Sequence, residues 1–85
     1  MYVVSKVYVG GRIEPVNTKW TLEHCQAFVG GYIERVACSV AHRALICDEA
    51  GLYKEKPVNV EATKLVRPGT LMDQGLRGDC LIVKA

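Results

Sequence analysis

No apolar stretch in this chain approaches the ~20 residues that a membrane-crossing helix needs, and no basic-then-greasy leader precedes Val3. No role in a membrane and no export signal are therefore expected. A large excess of charge is missing too. Eleven basic and nine acidic side chains leave a net charge of +2, which excludes an acidic tail or a DNA-coating polycation while allowing a local basic patch. The four cysteines, Cys25, Cys38, Cys47 and Cys80, contain no C-x-x-C pair, so a structural zinc ribbon is not expected. Motifs that announce chemistry are absent as well: there is no G-x-G-x-x-G, no P-loop lysine motif, no H-E-x-x-H and no G-x-S-x-G. His24 and His42 have no evident orienting partner, and Ser5 and Ser39 have no His or Lys companion. The sequence predicts no catalytic residues, no cofactor and no metal, hence no enzyme.

What is present is a soluble globular composition. Hydrophobic residues make up 49% of the chain and charged residues 24%, which excludes intrinsic disorder. Eighty-five residues form one domain, and a domain this short buries only about 60% of its unfolded surface. Extra stabilisation at this size comes from disulfides, metals or self-association. Each cysteine sits in an apolar stretch and reads as a buried, reduced thiol. A Cys38–Cys47 cross-strand contact and a metal site are the remaining readings. Self-association is then the expected source of the missing stability.

Residues Tyr2–Val9 read as a strand, rich in β-branched and aromatic side chains. Gly10 and Gly11 provide a hairpin turn into a second strand over Arg12–Val16. Pro15 marks that strand as an edge, and Asn17 and Thr18 are expected to close it. Thr21 caps a helix over L-E-H-C-Q-A-F-V, with Glu23 near its positive end and Gly30 as a left-handed stop. Leu22, Cys25, Phe28 and Val29 give that helix one apolar stripe. A strand over Tyr32–Val40 follows, with an antiparallel partner over Ala44–Asp48 ending in a D-E-A-G turn. Leu52 and Tyr53 extend as a further short strand. Asn59 caps a second short helix, V-E-A-T-K-L, in which Val60, Ala62 and Leu65 face the core. Arg67–Gly78 is the longest irregular stretch, and Asp79–Val83 reads as a central final strand. The predicted fold is α+β: a small, mostly antiparallel sheet of about five strands, one well-defined helix and a second short one.

Four short stretches recur in a fixed order. V-G-G-Y-I-E at Val29–Glu34, D-E-x-G at Asp48–Gly51, P-x-N-x-x-A-T at Pro57–Thr63 and G-D at Gly78–Asp79 together resemble the signature of a small phage- and plasmid-borne domain family of unknown function. The resemblance spans roughly residues 20 to 83. It implies a compact α+β domain encoded by a mobile element and working in the bacterial cytoplasm, and it implies no activity. The chain differs from that pattern in its basic R-P-G-T loop and in Met72–Asp73–Gln74.

Cations stand near glycine-bearing turns: Arg12 after Gly10–Gly11, Arg43 in the polar link, Arg67 before Pro68–Gly69, and Arg77 beside Gly78. Turns of this kind expose backbone N–H groups, and a guanidinium adds a planar fork suited to phosphate. Tyr2, Tyr8, Tyr32 and Tyr53 offer rings for stacking, and Asn59 or Thr63 could read polar edges. The expected ligand is a small phosphorylated, nucleotide-like molecule, held between protomers of a homo-oligomer. The residues expected to bind it are Arg77, Arg67 and Arg43 for phosphate, Tyr32 for stacking, and Asn59 and Asp79 for hydroxyl or base contacts. With the phage-type resemblance, this reads as a protein that sequesters an immune nucleotide signal and so counteracts host antiviral defence. Dispersed cations and no reading helix place nucleic acid below a small molecule. A phage-type inhibitor that binds a host protein directly is the alternative.

Overall fold

The computed structural model describes residues 1–70 and 75–85; Met72–Asp73–Gln74 lies outside them. Five strands form one sheet in the order β2-β1-β5-β4-β3: β1 (Tyr2–Val7), β2 (Ile13–Lys19), β3 (Ile33–Ala37), β4 (Arg43–Asp48) and β5 (Cys80–Lys84). Every pairing between these strands is antiparallel. Two helices among the described residues, α1 (Leu22–Val29) and α2 (Val60–Lys64), contribute to cores on opposite faces of the sheet. The continuous apolar run of β5 fits its place at the sheet centre, where both faces are covered. Pro15 does lie on an edge strand.

One face packs Val3, Ala44, Ile46, Leu81 and Val83 against Trp20, Cys25 and Val29 from the α1 side. The other packs Val7, Val36, Leu45 and Cys80 against Ala62 and Leu76. In β4 and β5 successive residues alternate between the two cores, as the pleat demands. Strand β1 breaks this rule: Val3 and Val7 are four apart yet belong to opposite cores. The register shift between Val3 and Ser5 explains it, because one extra residue reverses the facing of all that follow. Lys6 therefore faces the α1 side, 5.5 Å from the Trp20 ring and 5.6 Å from that of Phe28.

Local signals act as their chemistry predicts in α1. The Thr21 hydroxyl accepts from the His24 N–H at 3.1 Å, and Gly30 ends the helix at φ 88°. Four expectations are corrected. Strand β2 continues through Asn17 and Thr18 to Lys19, with Asn17 taking up positive φ. The strand expected over Tyr32–Val40 is shorter, Ile33–Ala37, followed by an isolated bridge from Cys38 to Val66. Leu52 and Tyr53 lie in a run of turns instead of a strand. Leu22 and Val60 are half exposed, since each opens its helix beyond the edge of the core.

All four cysteines are free and buried. The β3–β4 register sets Cys47 opposite Glu34, so Cys38 is not its cross-strand neighbour. Burial, above all, pushes the Cys47 and Cys80 thiols up to about 12.

Candidate ligand-binding site

The chemistry of the molecule concentrates where α1, β4 and the turns after β4 meet. Asp48 closes β4 with its carboxylate 1% exposed. Its Oδ2 receives Lys54 Nζ at 2.8 Å and Lys56 Nζ at 2.7 Å, and its Oδ1 accepts from the Ala50 N–H at 2.9 Å. Burial alone would raise this carboxyl, but the hydrogen bonds from Lys54, Lys56 and the Ala50 amide outweigh it and hold the group at about 2. Each ammonium has a second task. Lys54 donates to the Gly30 carbonyl at 2.9 Å and Lys56 to the Val29 carbonyl at 2.6 Å, so two cations cap the negative end of α1.

Beside this cluster is a hollow of about 440 Å³, lined by Gln26, Gly31, Tyr32, Asp48, Glu49, Ala50 and Lys54. That volume lies within the usual range for small-molecule sites. Tyr32 is 76% exposed, and its carbonyl accepts the Glu49 N–H at 2.9 Å, which holds the two residues side by side. Gly31 admits no side chain here: an added Cβ would sit 2.7 Å from Lys54 Nζ and 2.8 Å from Asp48 Oδ1.

The six residues singled out from the sequence do not converge on this hollow. Tyr32 lines it. Arg77 is at the same end of the sheet, half-buried, with Nη1 donating to the Lys56 carbonyl at 3.1 Å; its Nε is buried without a partner among the described residues. Asp79 is at that end too, and its Oδ1 accepts the Val9 N–H at 3.0 Å, fastening the end of β1. Arg43 and Arg67 belong to the opposite end. Arg43 opens β4, and the Arg67 N–H bonds to the carbonyl of Ala37, the partner of Ala44. Five residue steps of strand separate Arg43 from Asp48, about 16 Å at the usual rise. One pocket within a single subunit therefore cannot use all three arginines.

Asn59 is a structural post. It is fully buried, with Nδ2 donating to the carbonyls of Val7 at 2.8 Å and Gly78 at 3.0 Å while Oδ1 accepts from the Ala62 N–H at 3.0 Å. Both of its amide protons are spent, and no ligand reaches them. Thr63 is committed as well: its hydroxyl donates to the Asn59 carbonyl at 2.7 Å and accepts the Leu76 N–H at 3.0 Å.

Sequence reasoning missed Gln26, Glu49, Lys54 and Lys56. The D-E-A-G turn and the K-E-K tract were visible as a turn and a charge run, but nothing in one dimension said that the lysines turn inward onto Asp48. The four motif stretches prove to be neighbours in space. Lys56 reaches Val29 and Asp48 and passes so close to Gly78 that a Cβ there would meet its Cδ at 2.9 Å. Asn59 then ties Gly78 to β1. The four stretches thus form one scaffold beside the hollow.

Among the described residues no helix is long and apolar enough to cross a membrane, and no group of three or more His, Cys, Asp or Glu side chains is placed to hold a metal. No curated protein and no solved structure matches the chain. A family model does match, over residues 6–85, and the chain accordingly belongs to the family described as Domain of unknown function (DUF3846).

Proposed function

We propose that this domain is a non-enzymatic binding protein for a small nucleotide-like molecule, and that the hollow beside Tyr32 is its site. The observation that carries the reading is the pairing of a 440 Å³ concavity with an aromatic ring 76% exposed at its lining. A base stacks on such a ring with useful affinity. Arg77 is the arginine offered to the phosphate, since Arg43 and Arg67 stand at the other end of the sheet. A second copy of the chain covers the open side of the hollow, an arrangement that suits so small a domain. The biological setting belongs to the same proposal: a mobile-element protein that sequesters a host signalling nucleotide. The motif resemblance is its support.

The test is a thermal-melt screen against linear and cyclic nucleotides, with light scattering to count subunits. A ligand at a hundred times its dissociation constant adds about 2.7 kcal/mol to stability, and Tyr32→Ala should abolish the gain. A melt unmoved by every nucleotide would refute the reading.

One observation favours a second reading, direct binding of a host protein. Tyr53 is 91% exposed and Leu52 47% exposed, just before Lys54 at the hollow, and exposed aromatic and aliphatic side chains are common anchors at protein interfaces. Capture of a single host protein, lost on Tyr53→Ala and unaffected by nucleotides, would favour it.

A further inference from the structure

Resting on the nucleotide reading above, we infer that the hollow selects guanine, with the Glu49 carboxylate accepting the N1–H and 2-amino protons of a base stacked on Tyr32. Most polar groups around the hollow are already spent. Asp48 is saturated by two ammonium groups and a backbone N–H. Lys54 uses two of its three protons on Gly30 and Asp48. Lys56 is turned to Val29 and Asp48. Both cations are thus committed to groups within the fold, and the hollow abuts the end of α1, where the Gln26 carbonyl already takes the Gly30 and Gly31 N–H groups. The Glu49 carboxylate in the lining repels anions, so the phosphate stays outside and an uncharged part of the ligand enters.

Glu49 sets which part. It is exposed, lines the hollow, and has no ion-pair or side-chain hydrogen-bond partner among the described residues. A free carboxylate is an acceptor only, with two oxygens that match two parallel N–H donors. Of the common bases only guanine carries two such donors on adjacent ring positions. Adenine and cytosine would turn an acceptor nitrogen toward the carboxylate, and uracil a carbonyl oxygen. Because the Glu49 N–H is bonded to the Tyr32 carbonyl, the ring that stacks the base and the carboxylate that reads its edge are tied together.

The experiment measures dissociation constants of the full chain for GMP, IMP, AMP and ethylguanidine, for wild type and Glu49→Gln. GMP should bind at least about tenfold tighter than AMP, the discrimination expected of one good bidentate contact, with IMP between them for want of the 2-amino group. Glu49→Gln should erase the preference while leaving the unliganded melting temperature unchanged, since the carboxylate holds nothing in place. Equal affinity for AMP and GMP, or a preference that survives Glu49→Gln, overturns the guanine assignment and leaves nucleotide binding standing. Ethylguanidine binding as tightly as GMP also overturns it, because charge alone would then suffice. If no nucleotide binds, the small-ligand reading itself falls and takes this inference with it.

Discussion

Asp48 is a carboxylate out of water that stays ionised because two lysines and an amide replace the solvent. Its ordinary value is 3.8 and its folded value about 2. A carboxyl depressed on folding contributes stability above its unfolded value and loses that contribution as pH falls through the folded one. The stabilisation is therefore complete above about pH 4 and lost on the way to about pH 2, and the shift corresponds to roughly 2 kcal/mol. Asp48→Asn should be less stable than wild type at neutral pH by about that amount. The gap between the two proteins should close on acidification, as followed by urea unfolding at a series of pH values. A gap undiminished at pH 2 would mean that packing, not charge, accounts for the loss.

At the scale of elements, Asn59 joins three pieces of chain: it starts α2, holds β1 through Val7 and holds the entry to β5 through Gly78. Asn59→Ala removes the cap and two hydrogen bonds to buried carbonyls, so a loss of about 3 kcal/mol is expected by urea unfolding. Asn59→Asp should do no better, since it keeps the cap acceptor but points a carboxylate at two carbonyl oxygens. The sequence made the cap legible, because Asn before a short apolar-periodic segment has a local meaning. It did not reveal the two long-range bonds, which span 52 and 19 residues. The same contrast runs through the fold. Thr21, Gly30 and Pro15 act through their nearest neighbours, so their roles are legible in the sequence. The β1 bulge, the length of β2 and the fate of Leu52–Tyr53 depend on partners elsewhere in the chain, and apolar character at Leu52 and Tyr53 mimicked a strand that has nothing to pair with.

For the whole molecule, the last strand in sequence is the central one in space, so β5 joins the β1–β2 and β3–β4 hairpins into one sheet. That topology separates the two ends of the sheet and decides which candidate residues can cooperate. It keeps Tyr32, Arg77 and Asp79 at the Asp48 end and sends Arg43 and Arg67 to the other. Arginines beside glycine turns were legible as a type, but their distribution over two ends was not, because strand order is a property of pairing. Glu49, Gln26 and Lys54 escaped notice for the same reason: they meet only when α1 docks beside β4. In the proposed complex a small ligand occupies the concavity these residues share. Amide chemical-shift mapping of the isotopically labelled domain during a GMP titration tests it most directly. Saturable shifts should cluster at Gln26, Gly31, Tyr32, Glu49, Ala50 and Lys54, with Arg43 and Arg67 unmoved. Shifts centred on Arg43 and Arg67, or none at millimolar GMP, would contradict it.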